Sequence, residues 1–502
     1  MANDIDVLIV GAGLSGIGAA VHLRRLCPDR SFALLERRQA IGGTWDIFRY
    51  PGIRSDSDMH TLGYSFKPWR EAKAIADGPS IRHYVRETAA EYNVEEHIRY
   101  GHKVVSADWD SSTSRWTVEA QLEDGTTTHI QSNFLLMCSG YYSYERGHMP
   151  QFPGQESFPG PIICPQFWPE DLDYRGKKVV VIGSGATAMT LVPSLARDGA
   201  EVTMLQRSPT YVVSRPSRDR IANFLRKVLP DSWAYAITRF KNTTFQQLLY
   251  HRTRVAPEKV RDRLLGWVRD ELGPDFDVEK HFTPSYNPWD QRLCLVPDSD
   301  LFQVLRDGSA RVVTDHISAF NERGILLESG EQLDADIIIS ATGLELVVMG
   351  DARFSVDGEP VDFSGKWTYK GLMASDVPNM VVTFGYINAS WTLRADLTHE
   401  WTCRVLNRMR DTGTTQVTPR LPPELADMPS RPWIDDFSPG YMERVMHLFP
   451  RQGDREPWIN PQNYRKDRKM FRQGELEDGA LEFTTATGSE QSGDADAAVK
   501  AA

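Results

Sequence analysis

"DVLIVGAGLSGIGAAVHL", residues 6–23, reads as a short apolar strand, a glycine turn and a helix. Gly11, Gly13 and Gly16 stand in the spacing G-x-G-x-x-G at the junction. Each has its own task in such a turn. The first permits the tight bend, the second lets a pyrophosphate approach the backbone, and the third brings helix close to strand. The helix start then offers unpaired N–H groups and a positive dipole end to the phosphates. The next apolar run, "SFALLE", closes on Glu36, twenty residues past Gly16 and placed to accept from ribose hydroxyls. A glycine pattern alone is weak evidence. Strand, turn, helix and acid in this order predict a dinucleotide-binding unit.

The pattern occurs a second time. "KKVVVIGSGATAMTLVPSLARDGAEVTMLQRSPTY", residues 177–211, has Gly183, Gly185 and Ala188 at the three turn positions, with Thr187 beside them. Its second strand ends on Arg207 instead of an acid, followed by Ser208 and Thr210. An acid would repel a 2′-phosphate, whereas an arginine pairs with one bidentately. The first site therefore suits a dinucleotide with free ribose hydroxyls, such as FAD, and the second suits NADPH. The predicted fold class is α/β: two Rossmann-like dinucleotide-binding domains, for FAD and NADPH, with a helical insertion. Two such sites in one chain imply electron transfer from NADPH to a flavin. They do not say whether the acceptor is oxygen, a disulfide, a protein or an organic substrate.

The chain has 502 residues, more than one ordinary core accommodates. Its net charge of −11 disfavours nonspecific binding to nucleic acid or anionic membranes as a whole. The five cysteines are Cys27, Cys138, Cys164, Cys294 and Cys403, scattered and without C-x-x-C spacing. That argues against a disulfide framework, a zinc site or a disulfide-reductase centre, and fits a reducing cytosol. No basic and then apolar leader precedes the first strand, and no run of apolar residues is long enough for a membrane span. A cytoplasmic enzyme is expected. His399 and Glu400 begin an H-E pair, but Cys403 stands where a second histidine would complete a zinc motif, so no metal is assigned.

Three further stretches, "GGTWDIFRYPGIRSD" (42–56), "FPGPIICPQFWP" (158–169) and "DADIIISATG" (334–343), resemble the flavin-containing monooxygenases, and among them the Baeyer–Villiger monooxygenases. The fingerprint of that group is F-x-G-x-x-x-H-x-x-x-W followed by Pro or Asp. Phe158, Gly160, Trp168 and Pro169 match it, and Cys164 stands at the histidine position. "CSGYYSYE", "NPWDQRLCLVPDSDLF" and "GYINASWTLRADL" are similar to the ethionamide-activating branch, and the likeness runs from residue 4 to about 475.

The resemblance implies that NADPH reduces FAD and that O2 then gives a C4a-peroxyflavin. This species would insert oxygen into ketones, forming esters or lactones, and oxidise sulfides to sulfoxides. The alternatives are an uncoupled NADPH oxidase, or an N- or S-oxygenating flavin monooxygenase with little Baeyer–Villiger activity. The resemblance makes Arg292 the fixed positive charge for an anionic oxidant and a developing oxyanion, and Asp56 the acid that holds it, with Asp58 a competitor. It places Gly42, Gly43, Thr44 and Trp45 beneath the flavin. Ala341, Thr342 and Gly343 mark the return crossing between domains, and residues 138–143 the outward one. Trp391 is either a substrate-pocket residue or core. Phe158, Gly160, Cys164 and Trp168 belong to the domain linker, where the family's histidine is thought to couple cofactor position to domain movement.

These readings divide the chain into a first FAD part (1–144), a first NADPH part (145–214), a helical insertion (215–288), a second NADPH part (289–343), a second FAD part (344–484) and a disordered tail (485–502). In the insertion, Ile221, Phe224, Leu225 and Val228, and again Leu264, Leu265, Val268 and Leu272, fall at helical spacing. Both sets are expected to be packed stripes beneath a solvated basic face, in preference to a membrane-surface helix.

Overall fold

Two sets of β-branched and leucine-rich runs build two separate sheets. The computed structural model describes residues 4–291, 293–435 and 439–486. In the first sheet, Thr127–Met137, Asp4–Val10, Phe32–Leu35 and Ile98–Arg99 lie side by side and parallel. Lys103–Asp110 and Arg115–Gln121 extend it as an antiparallel meander, and Met380–Val382 returns from late in the chain to pair with Thr127–Met137. The second sheet is wholly parallel. Its order is Ala310–Thr314, Glu201–Gln206, Lys178–Ile182, Ile337–Ser340 and Ile162–Ile163. Strands buried on both faces have little need to alternate polar and apolar residues, which is why "VLIV" and "VVVI" read as continuous apolar runs.

The Leu14–Leu26 helix is buried from Leu14 to Leu23, because it lies between the first sheet and the Trp391–Thr412 helix. Its small residues make this possible: a Cβ on Gly18 would come within 2.9 Å of the Tyr64 ring. The Ala186–Arg197 helix covers the second sheet in the same manner.

The insertion is helical, as expected: Arg220–Val228, Asp231–Val255, Pro257–Leu272 and Val278–Phe282. The parallel pair Tyr211–Arg215 and Leu293–Pro297 closes its base. Leu264, Leu265, Val268 and Leu272 are buried, as read from sequence. The first stripe is not. Ile221, Phe224 and Val228 are 55%, 61% and 56% exposed. The cause lies on the other side of that helix. Asn223 Nδ2 donates to the Ala72 carbonyl at 3.0 Å and Arg226 donates to the Arg70 carbonyl, so the polar side is docked and the apolar side faces out. Residues 487–502, most of the expected tail, lie outside the described residues.

Candidate active site

Steric demand explains the glycines of both turns. Gly11 has φ +103°, and a Cβ there would lie 2.6 Å from the Cys138 carbonyl oxygen. A Cβ on Gly16 would lie 1.8 Å from the Gly11 carbonyl oxygen. In the second turn Gly183 has φ +134°, with 2.3 Å to the Ala341 carbonyl oxygen. These positions need glycine because protein backbone crowds them. Gly185 differs: a Cβ there would meet nothing within 4 Å, so its absent side chain leaves room beside the turn. Ala188, at the third position of that turn, is fully buried where helix meets sheet.

The two helix starts share a second property. Gly13 and Gly185 occupy their N-cap positions, and neither helix has a side-chain cap. The helices at Met59, Gly78 and Arg220 are capped by Asp58, Asp77 and Asp219. The first N–H groups of the two glycine-turn helices therefore remain to be satisfied by a ligand or solvent, beside glycines that admit close approach. Each turn fits a pyrophosphate.

Both turns open on one cavity of about 870 Å³ between the sheets. Gly11, Gly13 and Glu36 line it on one side; Gly183, Gly185, Thr187, Arg207 and Ser208 line it on the other. Glu36 sits just past its strand, buried, with the Ala12 and Arg38 N–H groups donating to its two oxygens at 2.8 and 2.9 Å. Burial raises its carboxyl above the ordinary range, and those two N–H groups oppose the shift. Each oxygen keeps acceptor capacity for a ribose hydroxyl. Arg207 is exposed at the end of Glu201–Gln206. Ser184 Oγ donates to the Ser208 carbonyl at 2.9 Å and lies 3.1 Å from Thr210 Oγ1, which fixes the loop that carries the arginine.

Gly43, Thr44, Trp45, Asp56, Ala341, Thr342, Gly343 and Trp391 line the same cavity. Asp58, unlike Asp56, is not part of that lining. Its carboxylate accepts from Thr61 N–H, Asn242 and Gln246, and is occupied as a helix cap. Arg292 lies outside the described residues. Trp391 donates from Nε1 to Ser15 Oγ at 2.8 Å and stacks on Tyr141 at 5.3 Å. Its ring passes so close to Gly385 that a Cβ there would lie 2.4 Å away, so it serves as packing and cavity wall together.

Sequence reading missed several lining residues. Tyr50 is pushed up to about 12 by burial, against its hydrogen bond to Thr187. Arg54 pairs with Asp300 and donates to the Met189 carbonyl. Both lie on the loop segment that "RYPGIRSD" names, but a loop has no periodicity to show which side chains turn inward.

The linker contributes more than a path. Ile162–Ile163 pairs with Ile338 and Ile339 as the edge of the second sheet. Phe158 is buried, and a Cβ on Gly160 would lie 2.3 Å from the Asp336 carbonyl oxygen. Trp168 meets Tyr174 edge-on at 6.2 Å. Cys164 is half-buried outside the cavity lining, and burial raises its thiol. Its Sγ lies tight against Gly147, where a Cβ would come within 2.2 Å. Gln166 Nε2 donates to the Ser143 carbonyl at 2.5 Å, tying this segment to the stretch after Thr127–Met137.

The chain is similar to the FAD-containing monooxygenase EthA of Mycobacterium tuberculosis, 52% identical over 96% of this chain and 98% of that one. It is also similar to the probable FAD-binding monooxygenase AlmA of Acinetobacter baylyi, 48% identical over 97% of each. Among solved structures, a steroid monooxygenase bound to NADP aligns with a TM-score of 0.75 at 21% identity, over 96% of this chain and 100% of that one. A cyclohexanone monooxygenase aligns equally well, at 19% identity. Such distant structures attest the fold. The family model described as flavin-binding monooxygenase-like matches residues 5–406, and this chain belongs to that family.

Proposed function

We propose that the protein is an NADPH- and O2-dependent FAD monooxygenase that converts ketones to esters or lactones and sulfides to sulfoxides. The observation that carries this reading is the shared cavity: two uncapped glycine-turn helices open on it, with Glu36 at one and Arg207 at the other. When bound, the flavin supplies oxygen activation and NADPH supplies the hydride. Glu36 accepts from the ribose of FAD, and the N–H groups after Gly13 bind its pyrophosphate. Arg207 and Ser208 bind the 2′-phosphate of NADPH, and Thr187 flanks its pyrophosphate. Gly43, Thr44 and Trp45 support the flavin, while Ala341, Thr342 and Gly343 shape the crossing beside it. Trp391, with Tyr141, gives the substrate an apolar wall. Arg292 supplies fixed positive charge to the oxygen that becomes negative during transfer, and Asp56 holds that arginine. Five free cysteines suit a reducing cytosol.

The test mixes purified yellow protein with NADPH, air and a panel of linear ketones, cyclic ketones and aryl sulfides. Ester, lactone or sulfoxide should form in step with NADPH consumption. Consumption matched only by hydrogen peroxide across the panel sinks the reading. Arg292→Ala should retain FAD and lose ester formation by roughly 100-fold or more, the usual cost of removing an oxyanion-stabilising donor. Full ester formation by that variant would remove Arg292 from the chemistry.

A further inference from the structure

The long helix of the insertion, Asp231–Val255, is amphipathic in the reverse sense to a packed helix. Tyr235, Arg239, Asn242 and Gln246 face the protein, where they bond to the Tyr64 carbonyl, the Gly63 carbonyl and Asp58. Trp233, Ile237, Phe240, Leu248 and Val255 face outward, and are 67%, 44%, 67%, 56% and 66% exposed. Their spacing of three, four and seven or eight residues makes one continuous stripe. The adjoining Arg220–Val228 helix packs on this one and repeats the inversion, with Ile221, Phe224 and Val228 exposed. Single exposed apolar residues are ordinary, whereas a run of large ones along two neighbouring helices marks a binding surface.

Charge identifies the occupant. Between residues 215 and 255 the sequence holds nine Lys and Arg against two Asp, in a chain whose net charge is −11. The two acids are already matched: Asp219 with Lys241 at 2.7 Å and Asp231 with Arg70 at 3.2 Å. Arg218, Arg220, Lys227 and Arg252 are exposed on or beside these helices. Two copies of so basic a face repel each other, while an anionic lipid surface attracts it and accepts the apolar side chains. None of the described helices is long and apolar enough to cross a membrane, so contact is with the surface. We infer that the Arg220–Val228 and Asp231–Val255 helices seat the protein on an anionic bilayer, with Phe224, Trp233 and Phe240 entering the headgroup layer between basic residues.

Vesicle flotation of the FAD-loaded full chain tests this, independently of any turnover. Binding should be strong to phosphatidylcholine vesicles containing phosphatidylglycerol, weak to phosphatidylcholine alone, and reduced by high salt. Phe224→Ser combined with Phe240→Ser should weaken binding at least roughly tenfold, since each removed ring forfeits substantial apolar burial. Unchanged FAD content and NADPH oxidation in that variant would show that it is folded. Lys227→Glu with Arg252→Glu should abolish the preference for anionic lipid. Absence of vesicle binding overturns the inference, as does equal binding to neutral vesicles at every salt concentration. A dimer in light scattering that the serine variant dissolves, without vesicle binding, would assign the face to a second copy of the chain and overturn it too.

Discussion

If Arg207 holds the 2′-phosphate of NADPH as proposed, the choice of reductant turns on one exposed side chain. The strand before it and the loop after it are fixed by the sheet and by Ser184, so its removal should change charge without moving backbone. Charge-assisted bonds of this kind are worth about 1.5–3 kcal/mol, or roughly 10–100-fold in affinity. Arg207→Ala should therefore raise KM for NADPH by that factor, with kcat nearly kept and KM for NADH unchanged. An equal rise for both reductants would show a structural role instead. Cys164 poses a different question at the same scale. Its neutral thiol lies against Gly147 and cannot reproduce the reach of the fingerprint histidine. If that histidine couples cofactor position to domain movement, Cys164→His should raise the ratio of oxygenated product to NADPH consumed at unchanged FAD content. An unchanged ratio would make the position packing only.

Elements differed in how legible they were. The strand–turn–helix units announced themselves because glycine spacing, apolar runs and strand-end charges all pointed the same way, and the structure places those residues on one cavity. The helices of the insertion were equally visible from their periodicity, but periodicity cannot say which face is buried. The inward face of Asp231–Val255 is polar because it meets loop carbonyls and Asp396, and these partners are remote in sequence. Arg239 is the centre of that seam. It donates to the carbonyls of His60 and Gly63 at 3.0 and 2.8 Å and lies 3.3 Å from Asp396. Its side chain is 12% exposed and that of Asp396 is 4% exposed. Removing one partner of so buried a pair leaves a charge and several carbonyls unsatisfied, at a cost of about 3–5 kcal/mol. Arg239→Ala should lower the denaturant midpoint accordingly and loosen the insertion first, seen as early proteolysis within 215–288. A loss under about 1 kcal/mol, the range of surface pairs, would show that water replaces the arginine.

At the scale of the molecule, the sequence reading supplied two nucleotide units but not the way they face each other. The first unit is itself closed by returns from far along the chain: Met380–Val382 entering its sheet and Trp391–Thr412 covering its helix. Contact with the second unit comes instead from loop side chains that no periodicity reveals, such as Arg54, which pairs with Asp300 and donates to the Met189 carbonyl. The Trp391–Thr412 return buries His399 completely, 3.2 Å from Thr383 Oγ1 and 3.9 Å from Cys138 Sγ. Burial lowers its imidazole to about 3, helped by neighbouring His22 and opposed by Asp396. In the unfolded chain a histidine takes a proton near pH 6.5. Below that pH the unfolded state binds a proton that the folded state refuses, so stability falls as pH drops from about 6.5 toward 3, by up to about 1.4 kcal/mol per pH unit. Glu36 and Asp467, whose carboxyls burial raises, act with the opposite sign, so the contribution is isolated by a variant. Urea midpoints of the wild type and His399→Gln, measured from pH 7.5 to 5, should diverge. The wild type should lose about 2 kcal/mol more than the variant by pH 5. Parallel curves would mean that His399 is protonated in the folded protein, and that Asp396 compensates its burial.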